Sequence, residues 1–247
     1  MKVNLYLIKF EIMKILILSV YISISISCSL SAQSSYIISS LEFGKIIPHH
    51  NNIKRIVKNG TKAISIGWEK HTSGNKLWEI EYKKPIYGVN LRYADLGNKN
   101  ELGETFSISP YFGFHTINKN NFHWYNCIGI GLLYANTTFA IDENPFNKVI
   151  SSKINCTVVV KSEIQVSLNQ FNITSGLGIN HISNGNSNVP NLGLNDIFFM
   201  IGLHYKISKK ENAIIGEDYT EHITIDKKIH PKMFISFGAS SLKPAGV

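Results

Sequence analysis

An all-β fold is predicted for this chain, specifically an eight-stranded antiparallel transmembrane β-barrel. Three features predict it: long segments in which apolar and polar residues alternate, connections that are alternately long and short, and an N-terminal leader for secretion. The composition agrees. Hydrophobic residues make up 44% of the chain and charged residues 17%, yet no apolar run of membrane-helix length follows residue 30. A chain this apolar and without such helices is suited to crossing a bilayer with strands.

In chain order, Lys14 is followed by Ile15 to Ile26, a run of apolar residues and Ser, and then by the small residues Ser31 and Ala32. This reads as a secretory signal peptide over residues 1–32, with Met13 as an alternative start. The Ser residues between Tyr21 and Leu30 make the run too polar for an inner-membrane anchor. Residues 33–60 read as a polar lead segment, and 61–207 as the barrel. Strands are expected at 62–70, 77–82, 86–95, 104–117, 122–136, 150–168, 171–183 and 194–207.

The clearest alternation runs from Ile150 to Leu168, with Ile154, Cys156, Val158, Val160, Ile164 and Val166 opposed by Lys153, Asn155, Thr157, Lys161, Glu163 and Gln165. Phe106, Ile108, Phe112 and Phe114 repeat the pattern, as do Trp124, Ile128, Ile130, Leu132 and Tyr134 against Cys127, Gly129, Gly131 and Ala135. A soluble sandwich or a lipocalin-like barrel also alternates. Strands of ten or more residues, aromatic residues near their ends and the leader favour the membrane barrel, apolar face outward. Connections at 83–85, 118–121 and 169–170 are short and suit the periplasmic end. Those at 71–76, 96–103, 142–148 and 184–193 are longer and suit the outer end. Pro110, inside a strand without a free edge, calls for a bulge. Residues 208–247 read as a C-terminal extension with one strand-like piece, Met233 to Ala239, and without the terminal aromatic residue common in such barrels. That absence leaves a shortened form open.

The net charge of +8 has no Lys/Arg block behind it, so nucleic-acid binding is not expected. After the leader only Cys127 and Cys156 remain, too few to staple a fold, and they read as strand residues. His49 and His50 lie in the lead segment, and His204, His222 and His230 lack ligand spacing, so neither metal nor cofactor is expected.

One pair of residues breaks the pattern. Phe171, Ile173, Leu177 and Ile179 form the lipid-side face of their segment, and the next residues on it are His181 and Ser183. On a strand, side chains two residues apart share a face, with β-carbons about 6–7 Å apart. Imidazole and hydroxyl pointing toward hydrocarbon are costly unless something uses them. By itself His-x-Ser is a weak motif, and on spacing alone a His181 tolerated at the membrane interface, with Ser183 beginning the loop, is the favoured explanation.

The wider segment His181-Ile182-Ser183-Asn184-Gly185, followed by Pro190-Asn191-Leu192-Gly193, resembles the signature of the outer-membrane lipid A 3-O-deacylases, the PagL-like family. The resemblance is strongest from about Asn121 to Lys206 and implies an eight-stranded barrel whose active site opens on lipid. It implies Ser183 as the nucleophile, His181 as the general base, Asn184 as the leading oxyanion donor, and Asn191 or an amide near Gly185 as its assistant. The family's third triad member is a Glu, whereas Asn195 stands at that position here and Asp196 is the nearest acid. Parity puts Asn195 on the outward face with Ile197, Phe199, Ile201 and Leu203, and Asp196 inward with Phe198, Met200 and His204, unless a bulge near Leu194 exchanges them.

The function implied is ester hydrolysis on lipid A, a 3-O-deacylation by a serine esterase. The implied partners are lipopolysaccharide and the outer membrane of a Gram-negative bacterium, with homodimerisation left open. The alternative is a non-catalytic structural or adhesive barrel that has lost the triad acid. A small pore ranks last, because eight strands enclose only enough space for side chains.

Overall fold

The computed structural model of the protein describes residues 34–207. The signal peptide expected over residues 1–32, with its alternative start at Met13, and the extension expected over 208–247 lie outside the described residues. Within them, eight antiparallel strands close into a barrel in sequence order: β1 (Ser34–Ile46), β2 (Thr61–His71), β3 (Ile86–Asp95), β4 (Glu104–Lys119), β5 (Phe122–Ala135), β6 (Ile154–Leu168), β7 (Phe171–Ser183) and β8 (Leu194–Lys206). Closure is made by β1 pairing antiparallel to β8, from Tyr36 opposite Lys206 to Ile46 opposite Asp196.

Two expected elements are corrected. The first strand lies inside the segment expected to be a polar lead: β1 turns Tyr36, Ile38, Ser40 and Glu42 inward, while Ile37, Leu41 and Phe43 face outward. Its inward face carries Ser and Glu because the lumen is polar, and its apolar residues continue in sequence from the uncharged run that begins at Ile15, which masks the alternation. Conversely, 77–82 is no strand. It holds the one-turn helix α2 (Leu77–Glu81), inside a single connection from β2 to β3. The buried Glu79 carboxylate accepts hydrogen bonds from the backbone N–H groups of Gly74 and Asn75, at 2.9 and 3.0 Å, and curls the chain there. Six residues are also too few to span a bilayer, which takes about 9–11 in a tilted strand. The 71–76 stretch therefore belongs to the same end of the barrel as the short turns.

Pro110 does not bulge. The β4–β5 register is the same on both sides of it, Ile108 opposite Leu132 and Tyr111 opposite Gly129, and the shift falls instead between His115 and Ile117. Segment 150–153 precedes β6, and Ile150 is buried.

The remaining alternation follows expectation. Ile128, Ile130, Leu132, Val160, Ile164, Leu177, Phe199 and Ile201 are exposed on the outer surface, which makes that wall a lipid-facing belt. Cys127 is buried in β5 and Cys156 exposed in β6. The lumen is filled by charge pairs: Arg92 donates to Glu42 at 2.7 Å and to Asp196 at 3.1 Å, Lys161 pairs with Glu163, and the Tyr111 hydroxyl donates to Glu69 at 2.7 Å. Between Glu42, Arg92, Tyr111 and Lys161 a cavity of only about 20 Å³ remains, room for roughly one water.

The connections 47–60, 96–103, 136–153 and 184–193 gather at one end, and because the opposite end holds the tight turns 120–121 and 169–170, the first end is the outer one. There Ile46, the helix α1 (Asn51–Ile56) through Ile53 and Ile56, Leu96, Leu102, Leu133, Val149, Ile150, Ile182 and Leu194 form an apolar plug. Ile182 and Leu194 belong to β7 and β8. Their neighbours in sequence, His181, Ser183 and Asn195, are thus mounted on strand ends whose inward side chains are locked into a core.

Candidate active site at the outer rim

His181 lies opposite Asn195 in the β7–β8 ladder, which runs without a register shift from Phe171 opposite Tyr205 to Ile182 opposite Leu194. His181 is exposed on the outer wall, Ser183 and Asn195 are half-buried, and Asp196 is fully buried in the lumen with Arg92 and Thr61. With no bulge at Leu194, strand pleat alone keeps Asp196 from the histidine.

Asn195 takes the place beside the imidazole: its Oδ1 lies 2.7 Å from His181 Nδ1. The amide also reaches His49, on the outer connection after β1, with Asn195 Nδ2 3.3 Å from His49 Nδ1. His49 Nε2 lies 3.1 Å from the carbonyl oxygen of Leu192. From sequence, His49 falls in a lead segment without chemistry. Nothing local marks it, since 146 residues separate it from Asn195 and only barrel closure between β1 and β8 brings them together.

Ser183 Oγ accepts two hydrogen bonds, from Asn191 Nδ2 at 2.9 Å and from the Gly185 backbone N–H at 3.2 Å. No hydrogen bond joins it to His181 among the described residues. Asn191 is held by its Oδ1, which accepts from the Asn184 N–H at 3.4 Å, while the N–H groups of Leu192 and Gly193 donate to the carbonyls of Lys148 and Val149. Asn184, expected to lead the oxyanion donors, spends its side-chain amide on Ser151 Oγ and the Asn188 carbonyl, at 3.1 and 3.0 Å. The donors that meet the serine oxygen are therefore Asn191 and Gly185.

Gly193 borders the imidazole. Its φ of +69° is left-handed, and a β-carbon there would stand 3.2 Å from His181 Cε1. An outer cleft of about 390 Å³, lined by Arg55, Phe139, Phe146 and Lys148 among others, includes none of these residues. The site is an open patch on the lipid-facing rim.

A closed barrel with an apolar outer belt, carrying an imidazole, a hydroxyl and amide donors at its outer rim, defines an outer-membrane protein whose candidate chemistry faces lipid. The sequence model of the family described as lipid A 3-O-deacylase (PagL) matches residues 62–204. That is more than half of the chain, and the protein belongs to this family. No curated protein matches it. Solved structures similar to it include Neisserial surface protein A (NspA), at 11% identity and a TM-score of 0.49, covering 71% of this chain and 97% of that one. The outer membrane enzyme PagL is similar at 14% identity and a TM-score of 0.46, covering 67% and 97%. The N-terminal β-barrel domain of Pseudomonas aeruginosa OprF is similar at 8% identity and 0.39, covering 70% and 99%.

Proposed function

We propose that this protein hydrolyses an ester-linked acyl chain of lipid A, with Ser183 as nucleophile and His181 as general base. The observation that carries the reading is His181 exposed on the lipid face and hydrogen-bonded through Nδ1 to Asn195. With Nδ1 so engaged, Nε2 is the nitrogen available to Ser183. Both bonds on the Ser183 oxygen come from donors, so its own hydrogen remains free to be given.

In the reaction, Ser183 Oγ attacks the ester carbonyl carbon as its proton passes to His181 Nε2. Asn191 Nδ2 and the Gly185 N–H, which now meet the serine oxygen, are the candidates to stabilise the oxyanion. The tetrahedral centre then collapses: the carbon–oxygen bond to the sugar breaks and His181 returns the proton to that oxygen. Water, deprotonated by His181, then attacks the acyl carbon; the carbon–oxygen bond to Ser183 breaks, His181 returns the proton to Ser183 Oγ, and the acyl chain leaves as a free fatty acid. Turnover is slow by this reading, because the neutral Asn195 orients the imidazole without stabilising imidazolium by charge.

The second reading, a non-catalytic structural or adhesive barrel, is favoured by two specific observations: an amide stands where the family carries a carboxylate, and Ser183 is hydrogen-bonded to Asn191 and Gly185 but not to His181. One experiment separates the two. The folded barrel is incubated with lipopolysaccharide in mixed micelles, and released 3-hydroxy fatty acid is measured by mass spectrometry. Hydrolysis is expected, and Ser183→Ala is expected to abolish it. No release by the wild type establishes the second reading, and release by the variant equal to the wild type's removes Ser183 as the nucleophile.

A further inference from the structure

We infer that His49 is a positioning residue that sets the tautomer of His181 through Asn195, an inference that rests on the esterase reading for its purpose but not for its test. The polarity of the chain of contacts follows from its last member. The Leu192 carbonyl can only accept, so neutral His49 must carry its proton on Nε2, 3.1 Å away. His49 Nδ1 is then a bare acceptor, and the group it faces at 3.3 Å must be the Asn195 NH2. That turns Asn195 Oδ1 toward His181 Nδ1 at 2.7 Å, where it can only accept, so His181 carries its proton on Nδ1. Nε2 is left as the basic nitrogen. The opposite orientation of the Asn195 amide would set a His49 lone pair against the Leu192 carbonyl.

This answers a difficulty that the asparagine raises. When a triad aspartate is replaced by asparagine in a serine protease, kcat falls about 10⁴-fold because the amide can present its NH2 and select the wrong tautomer. A carboxylate has no such ambiguity, whereas an amide needs a second partner to choose its face. His49, anchored on a backbone carbonyl, is that partner.

The test uses the full barrel in detergent micelles with ¹⁵N-labelled histidine, above the pH at which the imidazoles are protonated. The His181 signals are assigned by their loss in His181→Gln. In the wild type Nδ1 is expected to be protonated and Nε2 bare. In His49→Ala the population is expected to move toward the Nε2–H form, and fatty-acid release to fall roughly 10- to 100-fold, within the loss a wrong tautomer causes. His49→Gln, which offers one donor and one acceptor on a planar group, is expected to restore the wild-type tautomer. An unchanged His181 tautomer in His49→Ala overturns the inference, as does a Gln variant that behaves like Ala. Because the tautomer is read without turnover, a wild type that releases no fatty acid counts against the esterase reading and leaves the spectroscopic result for His49 intact.

Discussion

Asn195 is the residue on which the proposed chemistry turns. It occupies the lipid-side position opposite His181, and its carbonyl oxygen orients the imidazole without adding negative charge. A carboxylate there would stabilise the imidazolium that the proposed reaction forms as Ser183 loses its proton. Asn195→Glu is therefore expected to raise the rate of fatty-acid release at least about ten-fold, measured by the same mass analysis, with little change in apparent affinity. A rate unchanged or lowered in a folded variant would mean that the pair is not used for catalysis. Gly193 makes a complementary case. A non-glycine residue at its φ of +69° costs roughly 1–2 kcal/mol, and a β-carbon at 3.2 Å pushes on the His181 ring. Gly193→Ala is expected to fold and to lose most activity, checked by migration of the unheated barrel on a gel alongside the hydrolysis assay.

At the scale of elements, β7 and β8 work as a pleated pair. One face of each carries site residues and lipid contacts, while the other carries Ile182 and Leu194 into the outer plug and Asn180 and Asp196 into the lumen. The proposed chemistry and the stability of the barrel are thus divided by parity between adjacent residues. Asp196→Ala removes a partner of Arg92 inside the barrel, and breaking a buried pair costs about 3–5 kcal/mol. Its unfolding midpoint in urea is expected to fall clearly, whereas Asn195→Ala, at the half-exposed neighbour, is expected to leave the midpoint near wild type and to affect hydrolysis. The reverse outcome would mean that the two faces are exchanged. On β5, Ile130 is exposed in the middle of the lipid belt, and Ile130→Arg is expected to destabilise the folded barrel in bilayers by about 2–4 kcal/mol, read from folding titrations.

For the whole molecule, closure does more than remove free edges. It seats β1 beside β8, and so brings the connection bearing His49 against the connection bearing Leu192. The plug of Ile46, Ile53, Ile56, Val149, Ile150, Ile182 and Leu194 then ties the β1–β2, β5–β6 and β7–β8 ends together. A rigid frame suits a site of this kind, because a serine, a base and their donors tolerate little displacement.

Period-two alternation is enough to assign seven strands, β2 to β8, to within a few residues, because lipid outside and polar side chains inside impose opposite demands on successive positions. It also suffices to separate Asn195 from Asp196, since parity is a local property of a strand. Two elements escape it. In β1 a polar lumen makes the inward residues look like a linker, and in 77–82 a buried Glu79 turns an apparently alternating run into a helix. The pairing of His181 with Asn195 is legible from register. The reach of Asn191 and Gly185 to Ser183, the diversion of Asn184 to Ser151, and the arrival of His49 are not. Local pattern determines which way a side chain points, because it depends only on neighbouring dihedrals. Which groups meet at the rim depends on how three outer connections pack once the sheet has closed, and that is decided by contacts between residues far apart in the chain.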